Sequence, residues 1–130
     1  IISILKKQKL IIRSSGQQKR DYIFVEDVSR AYFMLFQYLK KKKNKLKVFN
    51  IGSKYNLKTV DIVNKIFKIM KKKPNYLIKN FSKSEINNQR LNYKKITKEL
   101  NWKPIYNLEY SLKKTIEWYK KNQKKLMIKN

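Results

Sequence analysis

The chain has no cysteine and no histidine among its 130 residues. The first absence excludes a disulfide framework and a thiolate metal site. The second removes the remaining usual transition-metal ligand, so metal catalysis has no ordinary donor set here. Glycine occurs only at Gly16 and Gly52, and proline only at Pro74 and Pro104. A loop that lets backbone approach a cofactor pyrophosphate needs three closely spaced glycines at a helix start, which this pair cannot supply. No Gly/Ser- or Pro-rich linker and no internal repeat divides the chain. Its apolar runs fall far short of the about 20 residues that cross a bilayer. Its start, Ile1-Ile2-Ser3-Ile4-Leu5, has neither an initiator methionine nor a cleavage-site pattern and reads as a truncation rather than a signal peptide.

Acidic residues are also scarce, eight against 34 basic ones, for a formal charge of +26. Such a balance points first to a polyanion partner: RNA, DNA or an anionic surface. The kind of basic residue argues the other way. Only Arg13, Arg20, Arg30 and Arg90 are arginine, and the rest are lysine, the skew of an A/T-rich coding sequence. Nucleic-acid readers favour the planar arginine fork, which bonds phosphate and guanine bidentately. Specific nucleic-acid recognition is therefore disfavoured, and the lysine runs read as a solvated face. With 42% hydrophobic residues, 13% of the chain being aromatic, there is enough apolar material for one globular piece.

What is present alternates strand and helix, an α/β pattern. Residues 1–9 read as the tail of a helix, 10–13 as a short strand closed by Ser14-Ser15-Gly16, and 20–25 as a second strand. From Glu26 the period turns helical, with Val28, Ala31, Tyr32, Leu35 and Leu39 on one face. Glu26 and Asp27 sit in the first turn, where the helix dipole favours negative charge, and that suffices to explain Asp27. After a polar connection at 40–45, residues 48–51 predict a buried strand closed by Gly52. Thr59 can cap a helix carrying Ile62, Val63, Ile66, Phe67 and Met70, which stops before Lys71-Lys72-Lys73-Pro74. A strand at 76–79 follows, then a short helix capped by Asn92 and bearing Ile96 and Leu100. The last helix is capped by Asn107 and bears Leu108, Leu112, Ile116 and Tyr119. Trp102 and Trp118, beside amphipathic helices, read as core. A buried parallel strand needs neighbours on both sides, and the sequence does not supply them for 48–51, so the chain reads as one piece of a larger fold.

Four segments carry a family resemblance. Arg20-Asp21-Tyr22-Ile23-Phe24-Val25-Glu26-Asp27 resembles the R-D-Y-I-x-V-x-D signature of extended short-chain dehydrogenases/reductases acting on nucleotide sugars. Val48-Phe49-Asn50-Ile51-Gly52-Ser53 resembles that family's F-N-I-G-S strand and turn, and Thr59-Val60-Asp61-Ile62-Val63 the helix after it. Lys95-Ile96, Leu100-Asn101-Trp102-Lys103-Pro104, Leu108-Glu109 and Thr115-Ile116-Glu117-Trp118-Tyr119 resemble its ending, K-x-x-x-x-L-G-W-x-P, L-E-x-G-L, T-I-x-W-Y. The segments stand in family order at family spacing, over about residues 10–120.

The resemblance implies the C-terminal part of an extended Rossmann-type fold: mostly substrate-binding lobe, plus one late Rossmann strand with flanking helices, over residues 1–123, and a frayed basic tail at 124–130. It implies that Arg20 holds the substrate diphosphate by charge-assisted, bidentate bonds. Arg90 is a second diphosphate candidate. Ile11 and Arg13 lie in the stretch that lines the nucleotide base, where Ile11 and Ser14 replace a common proline and glycine. By the same resemblance the parent enzyme uses NAD or NADP, acts on a nucleotide sugar in the cytoplasm without a membrane anchor, and is a homodimer. Its catalytic Tyr and Lys, in a Y-x-x-x-K helix turn, lie upstream of R-D-Y-I. The pairs Tyr38/Lys42 and Tyr110/Lys114 have that spacing but lie downstream, and chance supplies as many. The chain is therefore expected to hold no cofactor and catalyse nothing alone, its partner being the missing N-terminal cofactor domain. Arg20-Asp21-Tyr22-Ile23-Phe24-Val25 leans toward 4-epimerases, although dehydratases and reductases share close variants. The competing reading is a lysine-rich module for RNA or an anionic surface, contacting it through runs such as 40–43, whose binding would weaken steeply with salt.

Overall fold

The computed structural model describes residues 1–41, 47–82 and 84–123, so the expected tail at 124–130 and most of the polar connection at 40–45 lie outside the described residues. The chain forms two compact units. The first comprises Ile1–Gln18, Lys58–Asn87 and Asn107–Asn130, the second Lys19–Leu57 and Asn88–Tyr106.

The first unit contains α1 (Ile2–Leu5), β1 (Leu10–Ile12), α3 (Thr59–Ile69), β4 (Tyr76–Ile78) and α5 (Leu108–Lys121). β1 and β4 pair in parallel, Leu10 opposite Tyr76 and Ile12 opposite Ile78. Parallel strands need a long crossover, and α3 belongs to the connection that leads from β1 to β4. Ile12, Ile62, Phe67 and Ile116 are buried, as the helical and strand periodicities predict, and α3 packs against α5. Asn107 caps α5 as expected, its Oδ1 accepting from the Tyr110 N–H at 2.8 Å. Thr59 does not cap α3. Its hydroxyl donates to the Gln18 carbonyl at 3.3 Å, and Lys58 occupies the cap position. Trp118 is not core either: it is 55% exposed, since Ile116 already holds the inward side of α5.

Scarce glycine shows at the helix ends. After α3 the chain turns left-handed at Lys71 (φ 54°), and the Lys71 and Lys72 N–H groups bond back to the Lys68 and Phe67 carbonyls. α1 ends the same way at Lys7. This closing turn normally takes glycine, and a side chain there costs about 1 kcal/mol of backbone strain.

The second unit contains β2 (Lys19–Asp21), α2 (Val25–Lys41), β3 (Asn56–Lys58), whose last residue returns to the first unit, and α4 (Lys94–Leu100). β2 pairs with β3. The strand is shorter than predicted because the Phe24 carbonyl already accepts from the Asp27 and Val28 N–H groups, opening α2. The core is Ala31, Ile96 and Trp102, with Ile23, Met34, Phe49, Ile51, Tyr93 and Leu100 packed around it. α2 is buried along Asp27 and Ala31, while Tyr32 and Leu39, placed on the core face by periodicity, are exposed together with Phe33 and Phe36. Residues 48–51 form no strand: no ladder partner reaches them among the described residues, and Val48 is 72% exposed. Phe49 and Ile51 still turn inward, which is what their apolar pattern encoded. Asn92 stands one residue ahead of the α4 cap, Tyr93, and its Oδ1 accepts from the Lys94 N–H at 3.0 Å. On the other side of α4, Glu99 pairs with Lys47 and accepts from the Tyr38 hydroxyl, and these bonds, Lys47 first, hold its carboxyl below the usual range.

Asp27 is more than a helix-start charge. It is 1% exposed, accepts from the Ile105 N–H at 3.0 Å and the Tyr106 N–H at 3.3 Å, and pairs with Arg30 at 2.9 Å. Its backbone carbonyl accepts from Trp102 Nε1 at 3.1 Å.

Candidate functional site

Arg20 and Arg90 both belong to the second unit, on adjoining segments. Lys19 and Asn88 form a parallel bridge, and the Gln89 N–H donates to the Lys19 carbonyl at 3.1 Å. Residues 88–91 thus run beside β2. Asp21 fixes the arrangement: one carboxylate oxygen accepts from the Ser53 N–H at 2.8 Å, the other from the Leu91 N–H at 3.1 Å. One side chain therefore ties β2, the turn after residues 48–51 and the approach to α4.

Gly52 makes this closure possible. A Cβ there would lie 2.8 Å from Asp21 Oδ2 and 2.9 Å from the Leu91 carbonyl oxygen. Because backbone and a doubly bonded carboxylate cannot yield cheaply, Gly52→Ala is expected to cost about 1–3 kcal/mol. A urea titration of the variant checks it; an unchanged midpoint would mean that Leu91 is not held as described.

Arg20 is half-buried in the middle of β2, its Nη1 donating to the Lys19 carbonyl at 2.9 Å. Arg90 is exposed and lines a groove of about 630 Å³ together with Leu91, Asn92, Tyr93, Lys94, Thr97 and Lys98. Sequence reasoning did not single out Lys94 and Lys98. Their spacing of four from Arg90 was readable, but in a chain this rich in lysine it carries little weight.

Ile11 and Arg13 belong to the first unit. Ile11 is the exposed middle residue of β1, opposite Leu77. Arg13 follows the strand with its side chain exposed and its carbonyl accepting from the Phe81 N–H at 2.9 Å. Ser14 is buried, its hydroxyl accepting from the Gly16 N–H at 3.3 Å.

Neither glycine fits a nicotinamide cofactor's pyrophosphate. At Gly16 the place of a Cβ meets Val60, Ile12 and Ile78 side chains, and at Gly52 it meets the Asp21 carboxylate. Among the described residues no cluster of His, Cys, Asp and Glu could hold a metal ion, and no helix is long and apolar enough to cross a membrane.

Residues 1–115 match the family model described as GDP-mannose 4,6 dehydratase. Over 124 residues the chain is 32% identical to the trifunctional UDP-glucose 4,6-dehydratase/UDP-4-keto-6-deoxy-D-glucose 3,5-epimerase/UDP-4-keto-L-rhamnose-reductase of Arabidopsis thaliana, covering 94% of this chain and 18% of the relative. Among solved structures it is similar to the UDP-glucose 4-epimerase of Thermotoga maritima with UDP-glucose, at TM-score 0.77 and 28% identity over 94% of this chain and 38% of that one. The dTDP-glucose 4,6-dehydratase of Bacillus anthracis in complex with NAD gives the same TM-score at 25% identity, over 94% of this chain and 37% of its own. The chain thus spans well under half the length of these relatives. The predicted α/β class and the family resemblance agree with these matches, and the chain belongs to the GDP-mannose 4,6 dehydratase family, within the NAD-dependent nucleotide-sugar epimerases and dehydratases.

Proposed function

We propose that this chain is the substrate-binding portion of an NAD-dependent nucleotide-sugar epimerase or 4,6-dehydratase, with Arg20 gripping the substrate diphosphate and Arg90 assisting it. The observation that carries the reading is the anchoring of β2 by Asp21, which fixes the backbone from which Arg20 projects. A phosphate-binding guanidinium gains most when its support is rigid, because less freedom is lost on binding. Segment 88–91, held against the same strand, carries Arg90. The surroundings of Gly16 and Gly52 support the further reading that the nicotinamide is held by another part of the enzyme.

Titrating the chain with UDP-glucose and with dTDP-glucose tests this. Charge-assisted bonds contribute about 1.5–3 kcal/mol, so Arg20→Ala is expected to weaken binding at least about tenfold. Arg20→Lys should recover little of the loss, because an ammonium lacks the bidentate fork. Equal affinities for all three proteins would remove Arg20 from the site. With NAD added, the chain alone should form no reduced nicotinamide; hydride transfer would overturn the assignment of catalysis to another part.

A further inference from the structure

We propose that the outward side of α5 is a binding surface for single-stranded RNA, with Tyr110 and Trp118 as stacking platforms and the lysines around them as phosphate contacts. This is a function beyond nucleotide-sugar binding, and it uses none of the residues placed at the substrate.

α5 has two distinct sides. Its aliphatic residues Leu108, Leu112 and Ile116 are half-buried or buried, whereas Tyr110, Lys114, Trp118 and Lys121, which recur at helical spacing on the other side, are all exposed. Tyr110 is 39% and Trp118 55% exposed. Both rings have a neighbour that steadies them. Trp118 meets Tyr119 edge-on, centroids 5.2 Å apart at 85°, and the Lys114 ammonium lies 5.8 Å from the centre of the Tyr110 ring. Steadied rings lose little freedom when a base stacks on them. Eight residues separate the two along the helix, about 12 Å at 1.5 Å per residue, so each can take a base of its own with Lys114 between them.

The charge around the rings is positive. α5 carries Lys113, Lys114, Lys120 and Lys121 against two glutamates, and both glutamates are matched on the helix, Glu109 with Lys113 at 2.6 Å and Glu117 with Lys114 at 3.6 Å. Lys113 and then Lys68 and Lys65 of α3 hold the Glu109 carboxyl below its usual range, so the lysines of both helices share this surface. Scarce arginine removes the reading of base edges but not the attraction to phosphate, and stacking tolerates any sequence because every base has a π face. RNA exposes unpaired bases in its loops and ends, whereas duplex DNA stacks them away. A bilayer surface fits less well, since a helix lying in one needs aliphatic residues on its outward side and those of α5 face inward.

The test is fluorescence anisotropy of a labelled oligo-uridylate of about 15 nucleotides, the upper span of one single-strand site, titrated with the chain at low salt. Trp118→Ala changes no charge, so an affinity that rests on diffuse positive charge alone would not respond to it. Here it should weaken binding at least about fivefold, as the loss of one stacked base does, and Tyr110→Ala/Trp118→Ala more. Trp118→Phe keeps a ring and should recover most of the affinity. Lys114→Gln/Lys121→Gln should weaken binding and flatten its dependence on salt. Phe36→Ala, which removes a comparably exposed aromatic from α2, should change it less than about twofold, because that ring lies in the other unit. Matched urea midpoints would show that the variants are folded. Undiminished binding by Trp118→Ala, or an equal loss in Phe36→Ala, would overturn the proposal. Duplex DNA or phosphatidylserine vesicles bound as tightly as the oligo-uridylate, with the same dependence on Trp118, would overturn it as well. If Arg20→Ala abolishes binding and Trp118→Ala does not, the RNA occupies the substrate site: the α5 surface falls and the role of Arg20 stands.

Discussion

Asp27→Ala is expected to lower the stability of the second unit by about 3–5 kcal/mol, as removal of one partner from a buried, hydrogen-bonded charge does. The carboxylate is 1% exposed and accepts from the N–H groups of Ile105 and Tyr106, besides pairing with Arg30. Alanine leaves both backbone donors without their acceptor. Each such loss costs about 1–3 kcal/mol when the group stays buried, and the alanine side chain also leaves space. Arg30 loses little, because it is partly solvated and also donates to the Lys103 carbonyl at 3.3 Å. Asp27→Asn separates the contributions: its single carbonyl oxygen can serve one donor while its amide turns a donor toward the other, so about half the loss should remain. Urea unfolding followed by far-UV circular dichroism measures all three proteins. A domain's whole stability is about 5–15 kcal/mol, so the alanine variant loses a large fraction of it and its urea midpoint should fall well below that of the parent. An alanine variant as stable as the parent would show that the segment through Tyr106 is not fastened at Asp27.

This carboxylate marks where reading the sequence stops. Its position in the first turn of α2 was legible, and the dipole argument gave a sufficient local reason for it. The partners that bury it lie 78 and 79 residues on, in a loop with no periodic signal. The same division runs through the fold. α3 and α5 were visible because Ile62, Val63, Ile66 and Phe67, and Leu108, Leu112 and Ile116, recur at helical spacing, and none of them is exposed. On α2 that period misleads: Tyr32, Phe33, Phe36 and Leu39 are apolar yet exposed, so the helix carries apolar residues on more than one side and no count of spacings says which is core. Residues 48–51 fail differently. Val48-Phe49-Asn50-Ile51 has the composition of a strand, but a strand exists only with a ladder partner, and partnership is a property of the fold and not of the segment. At the candidate site, Arg20 was singled out because it stands in one of four segments that follow one another in family order. Asp21, which holds the site together, sat in the same motif without a reason for its presence. The reason appears only when Ser53 and Leu91 are brought to it.

Trp102→Ala is expected to cost about 3–5 kcal/mol, the range for truncating a buried aromatic. Trp102 is fully buried, packs with Ala31 and Ile96, and meets the Tyr93 ring edge-on. Few side chains could move into the vacancy, since Ala31 and Ile96 sit on α2 and α4, whose spacing Trp102 helps to set. Trp102→Phe distinguishes packing from hydrogen bonding. It keeps most of the apolar contact and loses the Nε1 bond to the Asp27 carbonyl, so about 1–3 kcal/mol should go with that unsatisfied acceptor and the smaller ring. The two tryptophans give a readout for each unit: Trp102 lies in the second, while Trp118, 55% exposed, lies in the first. In the parent chain, urea should therefore shift the emission of a buried indole to the red. In either Trp102 variant the remaining emission should begin already red, report the first unit alone, and leave circular dichroism to register the loss in the second. If Trp102→Ala instead left the circular-dichroism midpoint unchanged, the cluster of Ala31, Ile96 and Trp102 would not be the core of its unit, and the groove wall that Tyr93 forms would lose its support.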